Sequence, residues 1–219
     1  MYLILLGLPG AGKGTQAALI SEATGMAHIT SGGLFRENIG NQTPLGRQVQ
    51  PYVENGLLVP DQLTIGMLLE RIAQPDAAQG FILDGFPRNV DQARALDEAL
   101  AEQGRAIDKA LYVKVSIEEL VRRLSGRWNC KQCGAVYHEQ SMPPKSAGVC
   151  DRCSGTLYQR DDDRPDVVRT RLEINLKETE PLLEYYRRAG KLVEVDGGLA
   201  VEQVKEKLLA AIGRPQEVR

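Results

Sequence analysis

The sequence predicts an α/β fold: a doubly wound, parallel, five-stranded sheet with helices on both faces and two mobile insertions. Short apolar, β-branched segments alternate with longer amphipathic stretches, which is typical of βαβ units with buried parallel strands. The first of these segments runs directly into a glycine-rich loop, and two stretches further along interrupt the alternation. The predicted strands are 2–6, 26–29, 81–83, 110–115 and 192–195.

Composition limits the class of protein. With 219 residues, 42% apolar and 26% charged, the chain can bury the core of one domain with insertions. A net charge of −2 provides no general attraction to nucleic acid or to a membrane surface. No apolar run approaches the roughly 20 residues that span a bilayer, and no basic stretch precedes segment 2–6. We therefore expect a cytoplasmic protein without nucleic-acid or membrane partners.

The loop after the first strand, residues 7–15 (GLPGAGKGT), has the composition of a phosphate-binding loop of the P-loop NTPase type. Its four glycines let the backbone curl around a polyphosphate, while the following helix contributes the positive end of its dipole. Lys13 would place its charge on the outer phosphates. Gly14 stands where the usual pattern has Ser or Thr, so Thr15 is the nearest hydroxyl for Mg²⁺. The alternative is a glycine-rich turn that only packs a helix on the sheet.

All four cysteines of the chain lie in one window, as two Cys-x-x-Cys pairs separated by 16 residues. This spacing is typical of a tetrahedral, all-cysteine zinc ribbon with structural Zn²⁺. Two disulfides are the alternative, which a reducing cytoplasm disfavours. His138 is a spare candidate ligand, or else a surface residue of the ribbon. The predicted metal ligands are Cys130, Cys133, Cys150 and Cys153.

The segment 80–88 (GFILDGFPR) reads as a buried strand that ends in a carboxylate, a turn and an arginine. Asp84 suits a Mg²⁺ site beside the phosphate loop, because Mg²⁺ keeps several waters and is held through few protein oxygens. Alternatively, Asp84 caps the turn at Gly85. Arg88 could grip a phosphate with both guanidinium edges.

Two insertions interrupt the strand–helix alternation. Residues 30–59 read as short helices separated by glycines, and residues 127–163 read as a small β-ribbon held by metal. The remaining segments, 1–29, 60–126 and 164–219, form the predicted core, with a long helix starting near Pro165.

Taken together, these motifs resemble the adenylate kinases, in their bacterial form with a long, zinc-containing lid. The resemblance spans nearly the whole chain in family order. It implies that 30–59 is a mobile AMP-binding domain and that 127–163 is a lid over ATP. The matching motifs are 7–15, 31–36 (SGGLFR), 84–88 with Gln92, 123–127 (RLSGR), the four cysteines, and 160–163 (RDDD) with Arg171.

The resemblance also implies an activity and a set of site residues. The activity is reversible transfer of the γ-phosphoryl group of Mg-ATP to AMP, giving two ADP, by a protein that the family pattern favours as a monomer. ATP would contact Gly10, Ala11, Gly12, Lys13, Gly14, Thr15, Arg123, Arg127, Val136, Tyr137 and the backbone of Leu199. AMP would contact Ser31, Arg36, the backbone of Leu57, Leu58 and Val59, Gly85, Phe86, Pro87, Arg88, Gln92, Arg160 and Arg171. The residues implied in catalysis are Lys13, Asp84, Arg88, Arg127, Arg160 and Arg171.

One position departs from the family pattern. Many members have Asp where this chain has Gly33, so Mg²⁺ positioning is expected to depend more on Asp84. Ser31 replaces the commoner Thr but keeps the hydroxyl, which with Gln92 suits a purine.

Charge repulsion and competing functions complete the sequence-based picture. Six arginines (36, 88, 123, 127, 160 and 171) would repel one another in an empty pocket, so the insertions are expected to close only around two nucleotides. The acidic run 161–163 either complements the dipole of the next helix or pairs with lid arginines. Rival functions are a kinase of another nucleoside monophosphate and a zinc-ribbon nucleic-acid module with an ATP-driven switch. The slight acidity and few aromatic residues disfavour the latter.

Overall fold

The structure, a computed structural model, describes residues 1–54, 59–159, 163 and 165–213. It confirms the predicted α/β class. The strands are β1 (Tyr2–Leu6), β2 (Ala27–Thr30), β3 (Phe81–Asp84), β4 (Lys109–Lys114), β5 (Arg127–Cys130), β6 (Val136–His138), β7 (Leu157–Tyr158) and β8 (Leu192–Asp196).

The helices flank the strands in the order that βαβ units require. They are α1 (Lys13–Thr24), α2 (Ser31–Gly40), α3 (Pro44–Glu54), α4 (Asp61–Ile72), α5 (Val90–Ala101), α6 (Ile117–Ser125), α7 (Pro165–Arg188) and α8 (Val201–Ala211). Among the described residues of the first insertion, 30–54 and 59, the structure is helical apart from the end of β2.

Five strands form one parallel sheet in the order β2-β3-β1-β4-β8. Strand β1 lies between β3 and β4, and Leu5 of β1 is in register with Asp84 of β3. Since neighbouring parallel strands end at the same edge of the sheet, the loops after β1 and β3 leave it side by side. Ligands in doubly wound sheets bind at this carboxyl edge, where the strand order reverses.

The two faces of β1 belong to two separate parts of the core. Leu3 and Leu5 pack into one buried cluster, and Ile4 and Leu6 pack into the other. The period of two follows from the pleat, which points successive side chains to opposite faces. Both faces are apolar because helices cover each side of a parallel sheet.

A second, smaller sheet lies within residues 127–158. Its three antiparallel strands have the order β6-β5-β7. A small buried cluster accompanies it, made of Cys130, Ala135, Tyr137, Cys150 and Leu157. So small a core needs another source of stability, which agrees with a ribbon built around the cysteines. In the described part of the chain, no helix has the length and apolar character to cross a membrane.

Candidate active site

The glycine-rich loop takes a conformation that only glycine adopts easily. Gly10 and Gly12 have φ values of 86° and 87°, in the left-handed region. A Cβ on Gly10 would also lie 2.9 Å from Cγ of Leu124. Gly12 caps α1 without a side chain, and the first turn of α1 contains no acidic residue. The positive end of this helix dipole is therefore left for an external anion.

Lys13 folds back over the loop that precedes it. Its Nζ donates hydrogen bonds to the carbonyl oxygens of Gly7 (2.8 Å) and Leu8 (3.2 Å). The ammonium group thus lies at the mouth of the loop, where it can exchange a carbonyl for a phosphate oxygen by a small rotation of its flexible stem.

Asp84 lies at the carboxyl end of β3, next to this loop. Its Oδ2 is 3.4 Å from the position that a Cβ on Gly14 would occupy, and 3.8 Å from Nε2 of His28. Within the described residues, no main-chain N–H of the Gly85 turn donates to this carboxylate, so the turn-capping alternative is not what the geometry favours. A carboxylate beside the loop supplies the hard oxygen that Mg²⁺ prefers.

The turn after Asp84 gathers the side chains predicted for AMP. The carbonyl oxygen of Gly85 accepts hydrogen bonds from Ser31 Oγ (2.9 Å) and from Arg88 Nε (3.1 Å). Gly85 has a φ of 79°, which turns the chain there. The Phe86–Pro87 peptide bond is cis, and Phe86 is buried. The exposed guanidinium of Arg88 is thereby held at the edge of the sheet.

Other predicted AMP contacts fall partly outside the described residues. Arg36 Nη1 lies 3.2 Å from the Cβ position of Gly32, one turn earlier in α2, and Val59 is buried. Gln92 is buried and accepts a hydrogen bond from the Arg88 N–H. Leu57, Leu58 and Arg160 lie outside the described residues, as does the side chain of Arg171.

Gly33 is explained by the cap of α2. Thr30 is the N-cap, and its Oγ1 accepts a hydrogen bond from the Gly33 N–H at 2.8 Å. A Cβ on residue 33 would lie 2.5 Å from that oxygen. The missing carboxylate thus goes with a tight threonine cap that leaves no room for a side chain at this position.

Arg123 is held between its own helix and the loop after β8. Its Nε donates to Glu119 Oε1 (2.7 Å) and its Nη2 donates to the Gly197 carbonyl (2.9 Å). Arg122 also bonds Glu119, and these two arginines, Arg122 first, lower the pKa of Glu119 to about 2. The guanidinium therefore borders the loop that carries Leu199.

Arg127 forms a two-bond ion pair with Asp163. Arg127 Nε and Nη2 donate to the two carboxylate oxygens at 2.7 and 2.5 Å. The Asp163 side chain has no exposed surface, and that of Arg127 is 17% exposed. For Asp163 this supports the alternative in which the acidic run pairs with a lid arginine. Asp161 and Asp162 lie outside the described residues.

These pairs correct the expectation that the arginines repel one another until phosphates arrive. Arg123 and Arg127 already have carboxylate partners in Glu119 and Asp163. Their charge is thus balanced within the protein, and phosphates would compete with these carboxylates.

The four cysteines meet at one point. Their Sγ atoms all lie within 4.8 Å of one another, and the separations of Cys130–Cys153 and Cys133–Cys150 are 3.4 and 3.6 Å. All four are free thiols, so the disulfide alternative is wrong. A tetrahedron of sulfurs about 2.3 Å from a central zinc has edges of about 3.8 Å, so the arrangement fits Zn²⁺.

Both Cys-x-x-Cys turns have the same backbone pattern. The N–H of Gly134 donates to the Cys130 carbonyl, and the N–H of Ser154 donates to the Cys150 carbonyl, at 3.1 and 2.8 Å. Gly134 and Ser154 both have positive φ, 71° and 58°. Two equivalent turns that face each other are what a four-thiolate site needs.

The side chain of Tyr137 faces the cysteines. Its hydroxyl lies 3.4 Å from Cys150 Sγ and accepts a hydrogen bond from the Asp151 N–H at 2.8 Å. This hydroxyl is the main cause that lowers the pKa of the Cys150 thiol to about 6. Only the main chain of Tyr137 is then available to border a nucleotide, whereas the neighbouring Val136 is 42% exposed.

His138 is buried, which corrects its interpretation as a surface residue. Its Nδ1 accepts hydrogen bonds from the N–H groups of Gln140 and Ser141, and its Nε2 lies 3.4 Å from the Arg122 carbonyl. It is not part of the cysteine cluster. Its role is to join β6 to the end of α6.

Comparison with known proteins shows the family. The model of the adenylate kinase family matches residues 5–191. The chain belongs to the adenylate kinase family. An adenylate kinase of Geobacillus sp. (strain WCH70) is 49% identical over 213 residues, which cover 97% of this chain and 99% of that protein.

Other adenylate kinases match over a similar extent. The protein of Carboxydothermus hydrogenoformans is 50% identical over 93% of this chain and 95% of its own length. The protein of Streptomyces avermitilis is 48% identical over 98% of each. The match therefore includes both insertions as well as the sheet.

Sequence reasoning missed several residues that support the site of this adenylate kinase. Glu119 lies four residues before Arg123, a spacing that predicts an ion pair on a helix. Asn89 precedes Gln92 by three residues, which is a helix N-cap signature. Asp61, at the start of α4, bonds both of these amide side chains, and no local pattern indicates this contact.

Proposed function

We propose that the chain transfers the γ-phosphoryl group of ATP to AMP, giving two ADP, at the carboxyl edge of the parallel sheet. The observation that carries this proposal is the pairing of β1 with β3. The phosphate loop follows β1, and the Asp84–Arg88 turn follows β3. Two anion-binding features thus leave the sheet next to each other, one for each substrate.

The proposed reaction needs positioning and charge rather than a strong base. An oxygen of the AMP phosphate, already anionic, attacks the γ-phosphorus in line, and the bond to the bridging oxygen of the departing ADP breaks. Lys13 neutralises the outer phosphates of ATP, and Arg88 holds the AMP phosphate. Arg127, Arg160 and Arg171 stabilise the charge that spreads over the transferring group.

We further propose where Mg²⁺ and the two insertions act. Asp84, with the Thr15 hydroxyl, would hold Mg²⁺ through oxygen, and the ion when bound neutralises charge between the β- and γ-phosphates. Segments 30–59 and 127–163 would close over AMP and ATP on the core (1–29, 60–126 and 164–219). Closure excludes water, which would otherwise hydrolyse ATP.

A nucleotide panel tests the substrate assignment. Mg-ATP is supplied with AMP, GMP, CMP or UMP, and ADP formation is followed by a coupled assay. AMP is expected to give a kcat/KM at least about tenfold above any other acceptor, since sites that hydrogen-bond a base edge discriminate by about 1–3 kcal/mol or more. Equal rates with AMP and another monophosphate would overturn the assignment.

The cysteine cluster is proposed to hold a structural Zn²⁺. Four thiolates leave no open coordination position, so the ion would stabilise the ribbon and make no contact with substrate. Elemental analysis of the purified chain is expected to find one zinc per chain.

Removal of the metal should separate stability from chemistry. A zinc chelator, added with excess Mg²⁺, is expected to lower Tm by roughly 5–10 °C, equivalent to about 2–3 kcal/mol in a chain of this length. At moderate temperature kcat should fall much less, and added Zn²⁺ should restore Tm. Cys133→Ser should reproduce the effect and Ser141→Ala, on the same ribbon, should not. Simultaneous and equal loss of both quantities would contradict a purely structural ion.

The proposal also covers location and assembly. We propose a monomer that acts in the cytoplasm on ATP and AMP or ADP, without nucleic-acid or membrane partners. The net charge of −2 agrees with this, because no strong field draws the chain to polyanions.

A further inference from the structure

The amide of Gln92 is held at both ends by groups of fixed hydrogen-bonding character. Its Oε1 accepts from the main-chain N–H of Arg88 at 2.8 Å, and its Nε2 donates to Asp61 Oδ1 at 2.6 Å. The side chain is 4% exposed. Gln92 is thus clamped between the Arg88 turn and the start of α4.

These two partners determine which way the amide points. A main-chain N–H can only donate, and an ionised carboxylate can only accept. If the amide of Gln92 were flipped, its NH₂ would face the Arg88 N–H and its oxygen would face the Asp61 carboxylate. Both contacts would then be repulsive, so the orientation follows from the chemistry of the neighbours.

Asp61 is itself fixed by a second amide. Asn89 Nδ2 donates to Asp61 Oδ2 at 3.0 Å, while Asn89 Oδ1 accepts from the Gln92 N–H at 2.8 Å as the N-cap of α5. Asp61 opens α4, where the helix dipole stabilises a negative charge. The carboxylate therefore joins the starts of two helices, and both of its oxygens are used.

We propose that Asp61 is a positioning residue that makes the AMP site selective for adenine over 6-oxopurines. Adenine has an amino donor at C6, whereas hypoxanthine and guanine have an oxygen acceptor there. The second lone pair of Gln92 Oε1 can accept from the amino group but repels O6. A freely rotating amide could turn its NH₂ toward O6 and accept either base.

This inference rests on the proposed function, because it takes Gln92 to face the base of AMP. It adds that the specificity comes from a carboxylate in the layer behind Gln92, through the direction of one amide. IMP is the most informative competitor, since it replaces the 6-amino group by oxygen without adding the 2-amino group of GMP.

Asp61→Asn tests the proposal, because it keeps the shape and removes the acceptor-only character. The ratio of kcat/KM for AMP to that for IMP should fall about tenfold or more, in line with the value of one bidentate base contact. KM for Mg-ATP should not change. Asp91→Asn, at an exposed carboxylate in the first turn of α5, is the matched control and should keep the wild-type ratio.

Asn89→Ser provides a second variant that does not depend on the folding of the first. Serine keeps an N-cap oxygen for α5 but cannot donate to Asp61. The AMP-to-IMP ratio should fall in the same direction, by a smaller factor.

An unchanged ratio in Asp61→Asn, or equal losses with AMP and IMP, would overturn the inference, because the carboxylate would then have a structural role alone. If Asp61→Asn does not fold, an unchanged ratio in Asn89→Ser overturns it. Failure of the wild-type chain to phosphorylate AMP would instead overturn the proposed function.

Discussion

Replacing Lys13 by alanine is expected to lower kcat by about 10²–10³-fold, the loss measured when one preorganised charge or donor is removed from a transition state. Lys13 follows the left-handed Gly12, and its ammonium lies over the loop carbonyls of Gly7 and Leu8. With the ammonium gone, the γ-phosphoryl group transfers without a positive charge at that end. The measurement is steady-state ADP formation with saturating Mg-ATP and AMP.

The fold should survive this substitution. The hydrogen bonds lost are those to the two loop carbonyls printed by the geometry above, so Tm should change by no more than about 2–4 °C, or roughly 1 kcal/mol. Lys177→Ala, at an exposed position of α7, is the control and should keep full activity. Near-normal turnover in Lys13→Ala would show that the loop has only a structural role.

Replacing Arg88 by alanine is expected to affect the AMP side alone. The guanidinium is exposed at the edge of the sheet and tied to the Gly85 carbonyl. Its charge-assisted bonds to a phosphate contribute about 1.5–3 kcal/mol in the ground state, and more in the transition state. We therefore expect kcat/KM for AMP to fall about 10²-fold or more while KM for Mg-ATP changes little.

Arg94→Ala is the matched control for charge, because Arg94 is exposed on α5, two residues after Gln92. It should leave both Michaelis constants unchanged. Two results would show that Arg88 does not hold the AMP phosphate: a kcat/KM for AMP within threefold of wild type, or an equal rise in KM for both nucleotides.

The sheet could be predicted from sequence because its strands are short, apolar and separated by helices. Each predicted strand agrees with the structure to within one residue at either end, for instance 26–29 against Ala27–Thr30. The helices α4 and α8 were not assigned, although α4 buries Thr64, Met67, Leu68 and Ile72 at helical spacing. Here the pattern was present, but no motif drew attention to it.

The site could be predicted only where a motif carries its own chemistry. The phosphate loop and the paired cysteines are such motifs, since their spacing alone determines local geometry. The partner of Arg127 could not be found this way, because Asp163 is 36 residues away and meets it only through the fold. The contact of Asp61 with Gln92 spans 31 residues for the same reason.

The most direct test of the central claim follows the γ-phosphoryl group itself. The chain is incubated with Mg²⁺, AMP and ATP labelled in its γ-phosphate, and the products are separated. All label that leaves ATP is expected at the β-phosphate of ADP, with two ADP formed for each AMP consumed. Label recovered as inorganic phosphate, with the amount of AMP unchanged, would contradict a two-substrate phosphoryl transfer at this edge of the sheet.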